Sequence, residues 1–98
     1  MQELMPEEVA SGIPPLYATE EEADPIARVR LFSLSGWVWL VAEYDPESGE
    51  AFGLVRGFGE EWGYFSIREM EALNRSNGFD VVERDLSFEP KPVSEARR

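Results

Sequence analysis

The fold is decided by one segment, Trp37–Tyr44, whose sequence is WVWLVAEY. Its β-branched and aromatic residues favour a strand, and apolar side chains occupy both alternating sets of positions. The alternation assigns Trp37, Trp39 and Val41 to one face and Val38, Leu40, Ala42 and Tyr44 to the other. Such a strand either lies at the centre of a sheet and is covered on both faces, or it presents one face to a partner.

Two further strands flank this segment. Residues 26–34 are predicted to form a strand that ends at a turn over residues 35–36. On the other side, the polar turn 45–49 leads into a strand over residues 50–58. The first of these strands has one face made of Ala27, Val29 and Leu31. Together the three strands predict an antiparallel meander.

Two helices are predicted from their end signals. Pro6, followed by two glutamates, favours a short N-terminal helix because proline suits the first helical position and acids suit the positive end of the helix dipole. Ser66 and Glu69 fit a capping box. This motif predicts a second helix near residues 66–75.

The remaining segments complete the predicted fold. We expect residues 60–63 to form a loop and residues 79–88 a further strand. The fold class is therefore α+β, an antiparallel sheet of four to five strands with both helices packed on one face. Since 98 residues is the size of one domain, residues 1–98 are predicted to form a single small domain. Its ends, residues 1–8 and 91–98, are predicted to be flexible.

Charge and missing residue types limit the available chemistry. The chain has 20 Asp and Glu against 9 Lys and Arg, a formal net charge of −11, and neither histidine nor cysteine. It therefore lacks the usual general base at neutral pH, the thiolate nucleophile and the commonest metal ligands. We predict no catalytic residue, no metal ligand and no cofactor. Carboxylate chemistry stays open, so enzyme activity is disfavoured without being excluded.

The sequence favours a location in the cytoplasm, with no membrane association. The N-terminal residues are acidic and lack the apolar run of a secretory signal. The longest apolar run, Trp37–Ala42, is much shorter than the about 18 residues of a spanning helix. The lack of cysteine fits a reducing compartment.

Five segments carry a resemblance to a known family. They are Leu16-Tyr17-Ala18-Thr19-Glu20, Trp37-Val38-Trp39 with Glu43-Tyr44-Asp45, Phe52-Gly53-Leu54-Val55, Gly63-Tyr64-Phe65-Ser66, and Glu83-Arg84-Asp85-Leu86-Ser87-Phe88-Glu89-Pro90. In this order they resemble the bacterial family of uncharacterised proteins called domain of unknown function 2958, from about Val9 to Ser94. The resemblance implies a small single-domain protein, often encoded on plasmids and other mobile elements. It brings no established activity, cofactor or catalytic residue.

Aromatic and acidic residues supply the candidate interaction surface. Trp62, beside Gly63 in an acidic stretch, is expected to be exposed, and exposed tryptophan is a typical interface anchor. The acids concentrate near the N-terminus, where residues 1–27 hold seven acids and no base. The predicted surface consists of Trp62, Tyr64, Trp37, Trp39, Glu43, Asp45, Glu60, Glu20, Glu21 and Glu22.

Protein–protein interaction is the function that these features favour. We expect a non-enzymatic acidic accessory protein of a mobile element that binds an unidentified protein partner, to which a basic surface would be complementary. The chain itself is expected to be a monomer or a homodimer. Nucleic acid is not the expected partner because the net charge has the wrong sign.

Three alternative functions remain open at this stage. One is a carboxylate-dependent enzyme or metal binder that uses residues near Glu43, Asp45 and Glu60. Another is a nucleic-acid mimic whose carboxylates replace phosphates and inhibit a DNA-binding host protein. The third is a single-strand nucleic-acid binder that combines the tryptophans with a basic stripe across the strands. The stripe would consist of Arg28, Arg30 and Arg56.

Overall fold

The computed structural model describes all of residues 1–98. Its strands are β1 (Ile26–Ala27), β2 (Val29–Ser33), β3 (Val38–Asp45), β4 (Glu50–Arg56), β5 (Glu60–Ser66), β6 (Val82–Arg84) and β7 (Lys91–Pro92). Its helices are α1 (Glu7–Ala10), α2 (Ile67–Asn77) and α3 (Val93–Ala96). Five strands form an antiparallel sheet in the order β5-β4-β3-β2-β6, and β1 pairs separately with β7. The predicted α+β fold class is confirmed.

The strand β3 lies at the centre of the sheet, and apolar residues cover both of its faces. On one face, eleven buried residues form a cluster that joins the sheet to α2 and the N-terminal segment. On the other face, a smaller cluster consists of Ala27, Leu40, Leu54 and Val93. The apolar character of both faces of this segment is thus explained by two cores.

Helix α2 begins with the capping group that its sequence predicts and ends at a glycine. The hydroxyl of Ser66 accepts a hydrogen bond from the backbone N–H of Glu69 at 3.0 Å, which satisfies one of the free donors of the first turn. Gly78 ends the helix with a left-handed φ of 75°. The helix buries Ile67 and Met70 against the sheet.

Two of the predicted segment boundaries are wrong. Residues 60–63 are not a loop, because they form the first half of β5, which pairs with β4 along its whole length. The strand predicted over residues 79–88 is reduced to Val82–Arg84. There the Asn74 side chain accepts from the N–H groups of Val81 (2.8 Å) and Val82 (3.0 Å) and donates to the Val82 carbonyl (2.9 Å). The Asn74 side chain thus takes up backbone hydrogen bonds that a neighbouring strand would otherwise make.

Two face assignments are also wrong, each because the chain is irregular at one residue. Tyr44 packs in the larger cluster with Val41, since the pairing of β3 with β4 shifts by one residue between Val41 and Glu43. Ala27 lies in the smaller cluster, whereas Val29 lies in the larger one. The alternation breaks between β1 and β2, where the backbone N–H of Arg28 bonds to the carbonyl of Val41 at 2.7 Å.

Both ends of the chain contribute buried side chains to the two cores. Leu4 is fully buried in the larger cluster, and Val93 is buried in the smaller one. The predicted flexibility of residues 1–8 and 91–98 concerns motion and stays a prediction. None of the three helices has the length and apolar character needed to cross a bilayer.

Candidate functional site

A concave site lies between the loop 14–25 and the strands β3, β4 and β5, on the side of the smaller core. It has a volume of about 270 Å³. We call it the aromatic cleft, and it is lined by Tyr17, Thr19, Glu20, Glu22, Ala23, Pro25, Glu43, Phe52, Trp62 and Tyr64. Half of these residues are hydrophobic.

Cross-strand pairing builds the aromatic wall of the cleft. Phe52 lies directly opposite Tyr64 in the register of β4 and β5, and their ring centroids are 4.9 Å apart. Trp62 stacks on Phe52 at 5.8 Å, and Tyr17 reaches Tyr64 from the loop at 6.2 Å. Trp62 and Tyr64 nevertheless stay 45% and 50% exposed. The rings therefore pack on one another and still offer surface to a ligand.

Glu43 fixes the loop beneath the cleft. Its side chain is only 1% exposed. The carboxylate accepts hydrogen bonds from the backbone N–H of Tyr17 at 2.7 Å and from the N–H of Thr19 at 2.8 Å, and it also accepts one from the Thr19 hydroxyl. A buried carboxylate with these donors holds backbone in place, because removing it would leave the N–H groups without acceptors.

A β-bulge turns Glu43 toward the cleft. The register shift after Val41 places Glu43 opposite Phe52 and therefore on the same face as Leu40, whereas strict alternation would put it on the other face. Gly53 makes this irregularity possible, since a Cβ atom there would lie 1.9 Å from the carbonyl oxygen of Leu40. The orientation of Glu43 thus depends on two strands and on one glycine.

Both ends of the loop 14–25 are fastened as well. The carbonyl of Pro14 accepts from the N–H of Tyr44 at 2.9 Å. At the other end, Asp24 accepts from the N–H (2.9 Å) and the hydroxyl (2.6 Å) of Ser94 in α3. The hydrogen bonds from Ser94 hold the pKa of the Asp24 carboxyl below its usual value. The cleft is therefore organised before any ligand enters.

Tyr17 occupies a strained backbone conformation at the rim of the cleft. Its φ of 74° makes it the only residue other than glycine with a positive φ. The left-handed region costs a residue with a side chain roughly 1–2 kcal/mol. Strain of this kind is found where the surrounding structure enforces it, often at functional sites, and here Glu43 enforces it.

The electrostatic character of the cleft is negative. Three glutamates line it, and no lysine or arginine does. Desolvation by the surrounding groups, with repulsion from Tyr17, Glu43 and Glu20, raises the pKa of the Tyr64 phenol above its usual value. The glutamates that disfavour a phenolate there also disfavour any other anion.

The structure brings half of the predicted surface together in the cleft. These residues are Trp62, Tyr64, Glu43, Glu20 and Glu22. Glu21 is exposed in the same loop but does not line the cleft. Trp39 packs on the larger core, and Trp37 contacts Phe58 at the turn between β4 and β5, with ring centroids 5.5 Å apart.

The other two predicted carboxylates lie elsewhere. Asp45 begins the turn after β3, where it accepts from the N–H of Glu47 at 3.1 Å. Hydrogen bonds from Ser48 and Glu47 lower its pKa. Glu60 forms ion pairs with Arg56 at 2.9 Å and with Arg97. Arg56, with which Glu60 pairs, lies four residues from Phe52 along β4, which is about 13 Å at strand spacing. Glu60 therefore lies away from the cleft.

The enzyme or metal-binding alternative requires Glu43, Asp45 and Glu60 to converge, and they do not. No group of three or more acidic side chains is placed to hold a metal ion.

Sequence reasoning missed Tyr17, Thr19 and Phe52 as site residues. The motif segments contain all three, but nothing in their spacing places residues 17–19 above strand β4. Phe52 is not among the residues of the predicted surface. The double proline before Leu16 is the one available signal, because it predicts an extended loop that must pack somewhere.

Comparison with known proteins identifies the family. Residues 6–95 match the family model described as "Protein of unknown function (DUF2958)". The chain belongs to the DUF2958 family. The resemblance seen in the sequence is thereby confirmed. Comparison with curated proteins and with solved structures gives no match.

The segments that carry the resemblance to DUF2958 are largely those that build the cleft. Tyr17 and Thr19 lie in the first segment and Glu43 in the second, while Phe52 and Tyr64 lie in the third and fourth. In this DUF2958 chain, four separate stretches of sequence thus meet at one concave site.

Proposed function

We propose that the chain is a non-enzymatic protein-binding domain whose aromatic cleft receives a cationic side chain, above all arginine, of a partner protein. The observation that carries the proposal is the combination of four aromatic rings and three carboxylates, without any basic residue, in one preorganised cleft. Exposed aromatic rings attract a cation through their negative faces, and arginine also stacks on them.

The size of the cleft supports a side chain rather than a larger ligand. Its volume of about 270 Å³ is below the roughly 300–1,000 Å³ of pockets that take drug-sized molecules. The fastened loop supports tight recognition, because little flexibility has to be lost on binding. The carboxylates of Glu20 and Glu22 are exposed at the rim, where they would attract a basic partner over a distance.

The nucleic-acid-binding alternative finds less support. Two of the arginines in the proposed basic stripe are paired with acids, Arg30 with Asp85 at 3.4 Å and Arg56 with Glu60 at 2.9 Å. None of the three arginines of that stripe lines the cleft. The exposed rings are therefore surrounded by negative charge, which repels phosphates.

The cellular setting is part of the proposal. We assign the chain to the cytoplasm as an accessory protein of a mobile element. The family resemblance stated for its motifs supports the second assignment, and the lack of cysteine supports the first.

The proposal is tested by titrating the ¹⁵N-labelled chain with N-acetyl-arginine amide and with its neutral isostere N-acetyl-citrulline amide. We expect saturable shifts of the amide signals of Tyr17, Trp62 and Tyr64 with the arginine compound only. Shifts that are equal for both compounds, or that map away from the cleft, would contradict the proposal.

A charge-matched pair of double variants separates the cleft from the overall acidity. Glu20→Gln with Glu22→Gln is expected to weaken binding about threefold, since exposed ion pairs contribute about 0.2–1 kcal/mol each. Glu7→Gln with Glu8→Gln makes the same change of net charge on the exposed surface of α1. The second pair should leave the affinity unchanged, and an equal effect of both pairs would show nonspecific attraction.

A further inference from the structure

The two edges of the five-stranded sheet are treated differently. At one edge, β6 has only three residues, and the side-chain amide of Gln2 pairs with the backbone of Arg84. The Arg84 N–H donates to Gln2 Oε1 at 2.6 Å, and Gln2 Nε2 donates to the Arg84 carbonyl at 3.1 Å. Gln2 thus takes the place of a neighbouring strand. This edge is closed.

The other edge, β5, is open. It is seven residues long and pairs with β4 in continuous register on one side, with no strand on its other side. It contains no proline, lysine or bulge, which are the usual devices that protect an edge from pairing. Its charged residues are confined to its start, and one of them, Glu60, is paired with two arginines.

Two of the residues whose backbone groups point outward from β5 line the cleft. Ile67 N–H bonds to the Gly49 carbonyl, and Gly57 N–H bonds to the Gly59 carbonyl, at the two ends of the β4–β5 ladder. Since hydrogen-bonded and non-hydrogen-bonded pairs alternate in an antiparallel ladder, the odd-numbered residues of β5 bond to β4. The N–H and C=O groups of Trp62 and Tyr64 therefore face the free edge.

A strand added at this edge would lie beside the cleft. The residues directly opposite Trp62 and Tyr64 would direct their side chains to the same face of the sheet as these two rings. That face is the one that carries Phe52 and Glu43. One edge thus offers main-chain pairing together with a side-chain pocket, which are the two elements of peptide recognition by strand addition.

We propose that an extended, arginine-containing segment of the partner adds to β5 as a sixth strand, antiparallel like the other neighbours in this sheet, and places the arginine in the aromatic cleft. This inference rests on the proposed function and names the form in which the cationic side chain arrives. Charge decides against a second copy of the chain as the occupant, because each copy carries a net charge of −11 and no lysine or arginine lies in β5.

The test uses a fluorescein-labelled seven-residue peptide of alternating valine and threonine with one central arginine. One version carries a methyl group on the backbone nitrogen of the arginine. In the unmodified peptide this nitrogen would donate its N–H to β5. The control version carries the methyl group on the next residue, whose N–H would point away. We expect the first to bind at least about tenfold more weakly than the unmodified peptide, and the control to bind within about twofold, because only the first loses main-chain hydrogen bonds. The amides of Trp62 and Tyr64 should become protected from hydrogen exchange.

Each result decides the proposal. If N-acetyl-arginine amide binds in the cleft but both methylated peptides bind like the unmodified one, strand addition is wrong and the proposed function stands. If neither N-acetyl-arginine amide nor the peptide binds, strand addition and the proposed function are both wrong. If light scattering shows a dimer and the amides of β5 are already protected without peptide, a second copy occupies the edge and strand addition by a partner is wrong.

Discussion

Two buried polar side chains each fix a segment of irregular backbone in this protein, but the two segments have different roles. Glu43 fixes the cleft loop through the N–H groups of Tyr17 and Thr19, and Asn74 fixes the start of β6 through Val81 and Val82. Both are at most 2% exposed. The first supports a half-exposed aromatic surface, whereas the second completes the fold.

The two regions also differ in how they use a left-handed residue. After α2, near Asn74, the position is occupied by Gly78 with a φ of 75°. In the cleft loop it is occupied by Tyr17 with a φ of 74°. Glycine adopts this conformation without steric cost, whereas tyrosine adopts it only at a steric cost. Strain appears only where a ring is presented to the cleft, which is the difference expected between a binding region and a purely structural one.

The largest effect is expected from Glu43→Gln. A carboxamide has a single acceptor oxygen, so the N–H of either Tyr17 or Thr19 would face its NH₂ group. The free energy of unfolding should fall by about 3 kcal/mol, as for a buried donor that loses a charged acceptor, and binding of N-acetyl-arginine amide should be lost. Urea denaturation and titration measure the two effects. The exposed Glu61→Gln in β5 is the control that should change neither, and a stable, ligand-binding Glu43→Gln would show that the carboxylate does not hold the loop.

A somewhat smaller effect, confined to stability, is expected from Asn74→Ala. The variant leaves two N–H groups and one carbonyl without their partner, which should cost about 2 kcal/mol, while the affinity for N-acetyl-arginine amide stays within about twofold. Asn77→Ala makes the same change on the exposed side of α2 and should cost far less. Loss of ligand binding in Asn74→Ala would remove the distinction between the two regions.

The third prediction compares glycine and alanine at the two left-handed positions. Tyr17→Gly should be more stable than Tyr17→Ala by about 1 kcal/mol, and Gly78→Ala should cost a similar amount, since only glycine avoids the steric penalty. Both Tyr17 variants should bind N-acetyl-arginine amide several-fold more weakly because a ring is missing, whereas Gly78→Ala should bind normally. Thermal unfolding and titration provide the values. Equal stability of the two Tyr17 variants would mean that the backbone there is unstrained.

The smallest effect is the response to acid. Hydrogen bonds from Ser94 keep the pKa of Asp24 below its ordinary value of 3.8, so Asp24 contributes stability above that pH. The contribution is lost as the pH falls through the lower pKa of the folded state. Loosening of the cleft loop should therefore begin below pH 3.8, seen as a lower hydrogen-exchange protection factor of the Ser94 amide, which is its exchange rate relative to an unstructured peptide at the same pH. Asp24→Asn should remove this pH dependence, and the Asn74 contacts, which involve no titrating group, should not share it.

Much of the fold could be predicted from local patterns. The alternation of residues 38–56 and the turn after Asp45 are sufficient for the meander, and Ser66 with Gly78 marks the ends of α2. The strand β5 escaped prediction because its single glycine and its two acids resemble those of a loop. Only its pairing with β4 stabilises it, and pairing is not a local property.

The candidate site was predicted in part. The composition of residues 20–22 and the aromatics Trp62 and Tyr64 indicated an acidic and aromatic surface. Of these residues, Glu20, Glu22, Trp62 and Tyr64 do reach the cleft. Tyr17 and Phe52 were missed because their roles depend on contacts between segments far apart in the chain. Asp45 and Glu60 were grouped with Glu43 by proximity in sequence, yet they lie at different positions of the sheet.

The sequence by itself determined the strands of the meander, the helices α1 and α2, the absence of histidine and cysteine chemistry, and the excess of negative charge. These are properties of single residues and of local periodicity. Only the tertiary structure decided that a bulge opposite Gly53 turns Glu43 under the loop 14–25, and that β5 keeps a free edge beside exposed rings. The reason is physical: a one-residue register shift reverses the face of every residue that follows it, and cross-strand packing, rather than the strand's own pattern, decides where that shift occurs.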